Sequence, residues 1–291
     1  MFLIYIYIYI LMSINTTLAK YNMVVFTNCH GGAYIEMFKR DSKIDELFNI
    51  KYIVSYEHLN DFQKFKPCFE KTDVLIINNI KTYNDYTINN LKKILKKDVL
   101  LIILPFVRFE GYWLPEKYKK LKYFQSNSVT YFPDIDLRNV DNYLKKEIEI
   151  KLYKTYINTC LKKLKKIELE SDIQFYDFFI KNHLVYPMFR DNYHPTRNIL
   201  EYIGSEIMKK IDKKFDINYN EKKSNLVKNC LEYGHYKPIQ DNIKKILNIE
   251  YDLDKVFLCS RKEYITKILT YENENNKAIK DLTDMKLKFW N

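Results

Sequence analysis

The chain has 291 residues, 47% of them hydrophobic, and a formal net charge of +11. This length and composition allow one large domain, or one domain with an appendage. Such a charge is typical of nucleic-acid-binding proteins, but here lysine supplies nearly all of it, Ile, Asn and Tyr are abundant, and no RNA-recognition motif or dense basic block is found. Because an A/T-rich genome produces this composition, we predict no specific nucleic-acid partner.

The cysteines indicate a reducing compartment. The chain has five of them, an odd number, and they lie far apart in the sequence, which excludes a disulfide framework. No pair has the spacing of metal ligands, so we expect no metal. The number and spacing of the cysteines predict a cytoplasmic protein.

Residues 1–22 are expected to form a leader outside the fold. The apolar run from Phe2 to Met12 is too short to span a bilayer, and no basic residue precedes it as in a signal peptide. An alternating A-T tract also encodes alternating Ile and Tyr. One interpretation is therefore that the reading frame is extended too far upstream and that translation starts at Met12 or Met23. A secretory signal or anchor is the alternative, without a stable membrane span.

Short apolar runs alternate with helical patterns from residue 23 onward. Continuous apolar runs separated by helices are typical of buried parallel strands. The sequence therefore predicts an α/β fold, a flavodoxin-like three-layer sandwich with a parallel sheet. The predicted strands are 23–28, 51–56, 73–79 and 99–106; helical patterns cover 33–48 and 86–97, and a polar stretch runs through Lys71.

The second half of the chain is predicted to be largely helical. Patterns at 141–170 and 171–182 are followed by a loop and helix over 186–211, which completes a domain over 23–212. The Lys/Asn/Glu-rich residues 213–291 are predicted to form a helical C-terminal extension, with helical runs at 221–233, 240–248 and 261–271.

The segment TNCHGG, residues 27–32, lies between the first predicted strand and the first helix. Gly31 and Gly32 permit positive φ and close backbone approach, and a helix start presents unpaired N–H groups, so the corner suits an anion. A thiol at a helix N-terminus is favoured as thiolate, which makes Cys29 a candidate nucleophile. The alternative is a small buried Cys29 in a packing turn.

The segment DNYH, from Asp191 to His194, supplies the complementary chemistry. An aspartate three residues before a histidine can hold one imidazole nitrogen and leave the other to take a proton. A nucleophile after the first strand and a late Asp-x-x-His is also the chain order of SGNH-type esterases.

Three segments together resemble the WcbI family of polysaccharide biosynthesis enzymes: VVFTNCHGGAYIEMF, LPFVRFEGYWLP and RDNYHPTRNILEYIGSEI. The resemblance extends over about residues 23–212 and implies an SGNH-like fold, coenzyme A binding and acyl transfer in polysaccharide assembly. The family's first motif is Gly-Asn-Cys-Gln, whereas this chain has Thr27-Asn28-Cys29-His30. Histidine at position 30 is polar like glutamine, but its hydrogen-bond donors differ, and the oxyanion or substrate contact is the role that this change affects.

The resemblance implies a role for each matching residue. Cys29 is the nucleophile, His194 the general base and acid, and Asp191 the residue that orients His194. The oxyanion and substrate pocket is assigned to Asn28, His30, Gly31 and Asn78 or Asn79. Binding of coenzyme A or acetyl-coenzyme A is assigned to Gly32, Arg108, Gly111, Arg190 and Arg197, because guanidinium groups suit phosphates.

The predicted function is acyl transfer from acetyl-coenzyme A to a hydroxyl of a glycan or nucleotide sugar. An SGNH-type glycan esterase or deacetylase is the enzymatic alternative, since the same groups serve hydrolysis. A non-catalytic ligand-binding protein with the same fold is the third interpretation.

Overall fold

A computed structural model of the chain describes residues 20–113, 150–220 and 239–251. These residues divide between two compact units. The first holds 20–106, 167–175 and 199–220, and the second holds 107–113, 150–166, 176–198 and 239–251. The predicted helical runs at 221–233 and 261–271 lie outside the described residues.

The first unit is built on a parallel sheet of four strands in the order β2-β1-β3-β4. The flavodoxin-like order begins in the same way, and its ligand site lies where the order reverses, between β1 and β3. The α/β class with a parallel sheet is therefore confirmed. The strands are β1 Tyr21–Thr27, β2 Phe48–Val54, β3 Val74–Asn78 and β4 Leu100–Leu104.

The described residues form eight α-helices. They are α1 Gly31–Arg40, α2 Ser42–Leu47, α3 Phe62–Glu70, α4 Ile88–Leu91, α5 Ile150–Glu168, α6 Tyr176–Asn182, α7 Arg197–Phe215 and α8 Asp241–Leu247. None of them is long and apolar enough to cross a membrane.

Helix boundaries depart from the sequence patterns in three places. The pattern over 33–48 is two helices, because the Asp41 carboxylate accepts the backbone N–H groups of Lys43 and Ile44 and caps a new start. The pattern over 86–97 shortens to α4. Helix α3 was missed: Phe65 and Phe69, four residues apart, are buried in a stretch that reads as polar.

Both faces of the sheet are buried, which makes the first unit a three-layer sandwich. Phe26 on one face stacks on Tyr86, with ring centroids 4.7 Å apart, within a cluster that includes α3 side chains. Met23 and Val25 alternate to the other face and are fully buried. There, Met37 of α1 packs directly on Gly204 of α7.

The second unit has an aromatic core. Phe109 lies within 6 Å of the rings of Tyr112, Phe179 and Phe189. The Tyr112 hydroxyl donates to the His183 carbonyl at 2.7 Å. This core supports the loop that carries the Asp-x-x-His segment.

Candidate active site

The corner after β1 is a turn closed by Asn28. Its side-chain oxygen accepts the His30 N–H at 3.1 Å, and its carbonyl accepts the Gly31 N–H at 3.0 Å. The same carbonyl also accepts the Tyr52 hydroxyl at 2.9 Å. Helix α1 therefore begins at a defined orientation, with half-buried Cys29 in the middle of the turn.

Asn78 ties this corner to the neighbouring strand. Its side-chain oxygen accepts the Asn28 backbone N–H at 3.0 Å, and its amide nitrogen donates to the Pro105 carbonyl at 3.3 Å. Since Asn78 ends β3 and Asn28 follows β1, this side chain bridges the point where strand order reverses. That position is where ligands bind in sheets of this topology.

Gly31 is required by close packing and not by a positive φ. No described glycine has a positive φ. A β-carbon on Gly31 would lie 2.1 Å from Thr27 Oγ1 and 2.4 Å from a Tyr52 ring carbon. The first turn of α1 can thus lie directly against β1 and β2 only because position 31 has no side chain.

Two tyrosines beside Cys29 were missed by the sequence analysis. Burial is the main cause of the raised pKa of Tyr52 and of Tyr56, and the charge of Cys29 is the next contribution for both. The parallel register aligns the ends of β1 and β2, with Thr27 opposite Val54. The register of two adjacent strands is the signal that brings these tyrosines to the corner.

The predicted oxyanion residues differ in their surroundings. The N–H groups of His30 and Gly31 donate within the turn, so their oxyanion role stays a prediction. The amide of Asn79 lies 3.4 Å from the Glu170 carboxylate, which also contacts Lys81 at 2.5 Å. In this unit Asn78, and not Asn79, makes the contact with the corner.

In the second unit, Asp191 and His194 form a close pair. His194 Nδ1 lies 2.7 and 2.9 Å from the two carboxylate oxygens. One of these oxygens also accepts the backbone N–H groups of Tyr193 and His194, at 2.8 and 2.9 Å. The carboxylate is thus fixed by the chain that follows it, and it directs the proton of the imidazole to Nδ1.

The pKa of Asp191 reflects this arrangement. Burial alone would raise it, but the hydrogen bond and charge of His194, the Tyr193 N–H and the charge of Arg190 outweigh burial and lower the pKa to about 2. The aspartate is therefore ionised throughout the physiological range. An ionised partner stabilises the imidazolium that forms when the histidine accepts a proton.

The loop around this pair is held by backbone hydrogen bonds. Arg190 N–H donates to the His194 carbonyl and Thr196 N–H to the Met188 carbonyl, both at 2.8 Å. Phe109 N–H donates to the Asn192 carbonyl at 3.0 Å. The segment after β4 and the Asp-x-x-His loop, two of the three segments quoted above, therefore contact each other directly.

The residues assigned to coenzyme A have unequal access to solvent. Arg108 is exposed, Gly32 and Arg197 are half-buried, and Arg197 begins α7. Gly111 is buried, where a β-carbon would meet the Phe109 ring at 2.4 Å. Arg190 is 8% exposed, and its buried Nε has no hydrogen-bond partner among the described residues. Arg108 is therefore the best placed of the three arginines to meet a phosphate.

The predicted site thus falls into two described groups. The first unit brings together Asn28, Cys29, His30, Gly31, Gly32 and Asn78, and the second brings together Arg190, Asp191 and His194. That His194 serves Cys29 stays a prediction. Within the described ranges, no three Asp, Glu, His or Cys side chains are grouped as metal ligands.

Comparison with known proteins identifies one family. The family model for the polysaccharide biosynthesis enzyme WcbI matches residues 22–215. A solved structure of WcbI, a novel polysaccharide biosynthesis enzyme, is 13% identical to this chain. It shows the native WcbI protein without a disulfide bond between coenzyme A and a cysteine of that protein. It has a TM-score of 0.49 and covers 90% of this chain and 97% of its own. No curated protein matches the chain.

Proposed function

The chain belongs to the WcbI family of polysaccharide biosynthesis enzymes, and from this we propose that it transfers an acyl group from a coenzyme A thioester to a hydroxyl of a glycan or nucleotide sugar. Coenzyme A is the donor that the sequence resemblance implies, and it is named with the solved WcbI structure. Arg108, exposed in the segment after β4, is the residue that we assign to its phosphates.

The observation that carries the proposal is the Asp191–His194 pair. Both side chains are 19% exposed, so the pair is shielded yet reachable, and Nδ1 is held by the carboxylate. A histidine oriented in this way is a general base and acid at its other ring nitrogen. Cys29, at the reversal point of the sheet, is the nucleophile that we pair with it.

The transfer takes place in two steps. His194 accepts the Cys29 proton, the sulfur attacks the thioester carbonyl, and the carbon–sulfur bond to coenzyme A breaks as His194 returns the proton to the leaving thiolate. His194 then accepts the proton of a sugar hydroxyl, whose oxygen attacks the acyl-cysteine. The product is a sugar ester, and the Cys29 thiolate leaves and regains its proton from His194.

Labelled acetyl-coenzyme A, incubated with the protein with and without a glycan acceptor, tests this proposal. We expect label in the acceptor with the unaltered protein and none with Cys29→Ala, while Cys29→Ala still binds coenzyme A. Cys68→Ala is the matched control. Cys68 is also a half-buried thiol of the first unit, but it lies on α3 next to Lys51 and not in the turn after β1. At millimolar coenzyme A and a micromolar Kd, binding adds roughly 4 kcal/mol to the free energy of unfolding. Melting curves detect this as a rise in Tm.

Other outcomes identify the alternatives. Free acetate without labelled acceptor indicates an esterase, and retention of ligand without turnover indicates a binding protein. Full transfer by Cys29→Ala, together with loss in His194→Ala, would reject the covalent route in favour of direct attack by the sugar hydroxyl. No melting shift with any coenzyme A species would remove the donor.

A further inference from the structure

Two exposed aromatic side chains stand on either side of Cys29 along the carboxyl edge of the sheet in the first unit. Cys29, Tyr56 and Phe106 are each the second residue after the end of their strands, β1, β2 and β4. The register aligns these ends, since Thr27 pairs with Val54 and Asn78 with Leu104. Strand spacing puts the end of β2 about 5 Å, and the end of β4 about 10 Å, from the end of β1 along this edge.

Both rings are accessible, and they are the two most exposed aromatic side chains among the described residues of this unit, in which Tyr21 and Tyr83 are 41% and 38% exposed. Tyr56 is 46% exposed and Phe106 is 45% exposed, whereas Phe26, Phe69 and Tyr86 in the same unit are fully buried. A single exposed aromatic residue needs no explanation. Two of them on one edge, with the candidate nucleophile between them, resemble the lining of a binding site.

We propose that Tyr56 and Phe106 are stacking platforms for the sugar rings of the acceptor glycan, on either side of Cys29. The inference rests on the proposed function, in which the acceptor is a sugar. An aromatic face carries negative charge density, and a pyranose presents a face of C–H groups that is apolar and slightly positive, so the two stack. Because the strands that lead to the two platforms, β2 and β4, are three strand spacings apart, about 15 Å, an acceptor that contacts both platforms is an oligosaccharide longer than a disaccharide.

Coenzyme A does not account for these rings. Its adenine lies at the end of the molecule opposite the thiol, and the arm that would reach Cys29 contains no ring to stack on an aromatic side chain. The Tyr56 hydroxyl adds a polar group suited to a sugar. Burial, and secondarily the charge of Cys29, raise its pKa to about 12, so it stays protonated and can donate to a sugar hydroxyl.

Paired substitutions separate stacking from simple apolar contact. Tyr56→Leu and Phe106→Leu keep an apolar side chain and remove the ring, whereas the matched controls Tyr56→Phe and Phe106→Tyr keep the ring. Saturation-transfer NMR of the full chain with the tetrasaccharides cellotetraose, maltotetraose and tetra-N-acetylchitotetraose measures the contact directly, and coenzyme A in the same tube reports the integrity of the donor site.

We expect at least one tetrasaccharide to receive saturation on the C–H face of its rings. The leucine variants should bind it about 3- to 10-fold more weakly, as the loss of a stacked ring requires. Phe106→Tyr should bind it as the unaltered protein does, and Tyr56→Phe, which keeps the ring but loses the hydroxyl, should bind it more tightly than Tyr56→Leu. Coenzyme A binding should be unchanged in all four variants. Bound tetrasaccharide should also slow alkylation of Cys29 by iodoacetamide.

Two results would overturn the inference: no tetrasaccharide binds the unaltered protein, or the leucine variants bind as well as the aromatic ones. The assay for labelled acyl transfer tests the proposed function independently of this binding experiment. Saccharide binding that depends on both rings, without any transfer, would reject the acyltransferase and keep the platforms. Acyl transfer that proceeds equally well in both leucine variants would keep the acyltransferase and reject the platforms.

Discussion

Two histidine–aspartate pairs in the described residues show how surroundings select a candidate catalytic residue. His58 and Asp61 meet at 2.8 Å, much as His194 and Asp191 meet at 2.7 Å. The Asp61 side chain is 44% exposed, whereas that of Asp191 is 19% exposed and also accepts two backbone N–H groups. Spacing in sequence is the same for both pairs, and burial distinguishes them.

Replacing Asp191 with Asn tests the pair through catalysis. The amide does not hold the imidazole in the required tautomer, so we expect kcat to fall by about 10² to 10⁴ while coenzyme A binding is unchanged. Steady-state kinetics with calorimetric binding measures both. Asp61→Asn is the matched control and should leave kcat unaltered; an equal loss in both variants would contradict the assignment.

The same substitution has a pH-dependent effect on stability. The folded pKa of Asp191, about 2, lies below its unfolded value of about 3.9, so the carboxylate stabilises the folded chain above that unfolded value. The contribution, about 2 kcal/mol, is lost as pH falls from about 4 to 2. Urea unfolding of the unaltered protein and Asp191→Asn should therefore differ at neutral pH and converge in acid.

Gly31 should be intolerant of even the smallest side chain. Because the added carbon would meet Thr27 and the Tyr52 ring, Gly31→Ala should lower the free energy of unfolding by about 1–3 kcal/mol and reduce transfer. Gly204→Ala is the control, since its added carbon meets the flexible end of Met37. Denaturant unfolding compares the two variants, and equal stability would show that the corner adapts.

At the scale of elements, the apolar runs predicted the strands well and the helices less well. Burial on both sheet faces gives parallel strands a continuous apolar sequence, and each of the four predicted runs overlaps a strand, although β1 and β2 begin two and three residues before their runs. Helix limits depend on contacts that are distant in sequence or on single caps, such as Asp41. For that reason α3 was missed, and β1 begins at Tyr21, two residues before the predicted domain.

The early start of β1 makes the first strand sensitive to truncation. Asn22 N–H donates to the Asp73 carboxylate at 2.8 Å, and the Tyr21 ring centroid lies 4.8 Å from that of Phe215. A chain beginning at Met23 should therefore be less stable than one beginning at Lys20, by about 2 kcal/mol. Thermal and urea unfolding of the two chains measure this; equal stability would restore the boundary at 23.

At the scale of the whole molecule, the charge of +11 is expected to be diffuse. We expect single- and double-stranded DNA to bind weakly at low salt and to dissociate by about 0.15 M salt, because scattered lysines without a shaped groove contribute only counterion release. Fluorescence anisotropy over a salt series measures this. Tight binding that persists at physiological salt would contradict the prediction that no nucleic acid is a specific partner.

The sequence by itself determined the parallel α/β class, the family and the Asp191–His194 pair, because each is encoded locally: apolar runs make strands, and three residues of separation suffice for a hydrogen bond. Only the tertiary structure decided which side chains surround the corner. Asn78, Tyr52 and Tyr56 reach Asn28 and Cys29 through strand order and register. Strand order and register arise from packing between distant segments, which no local pattern in the sequence records.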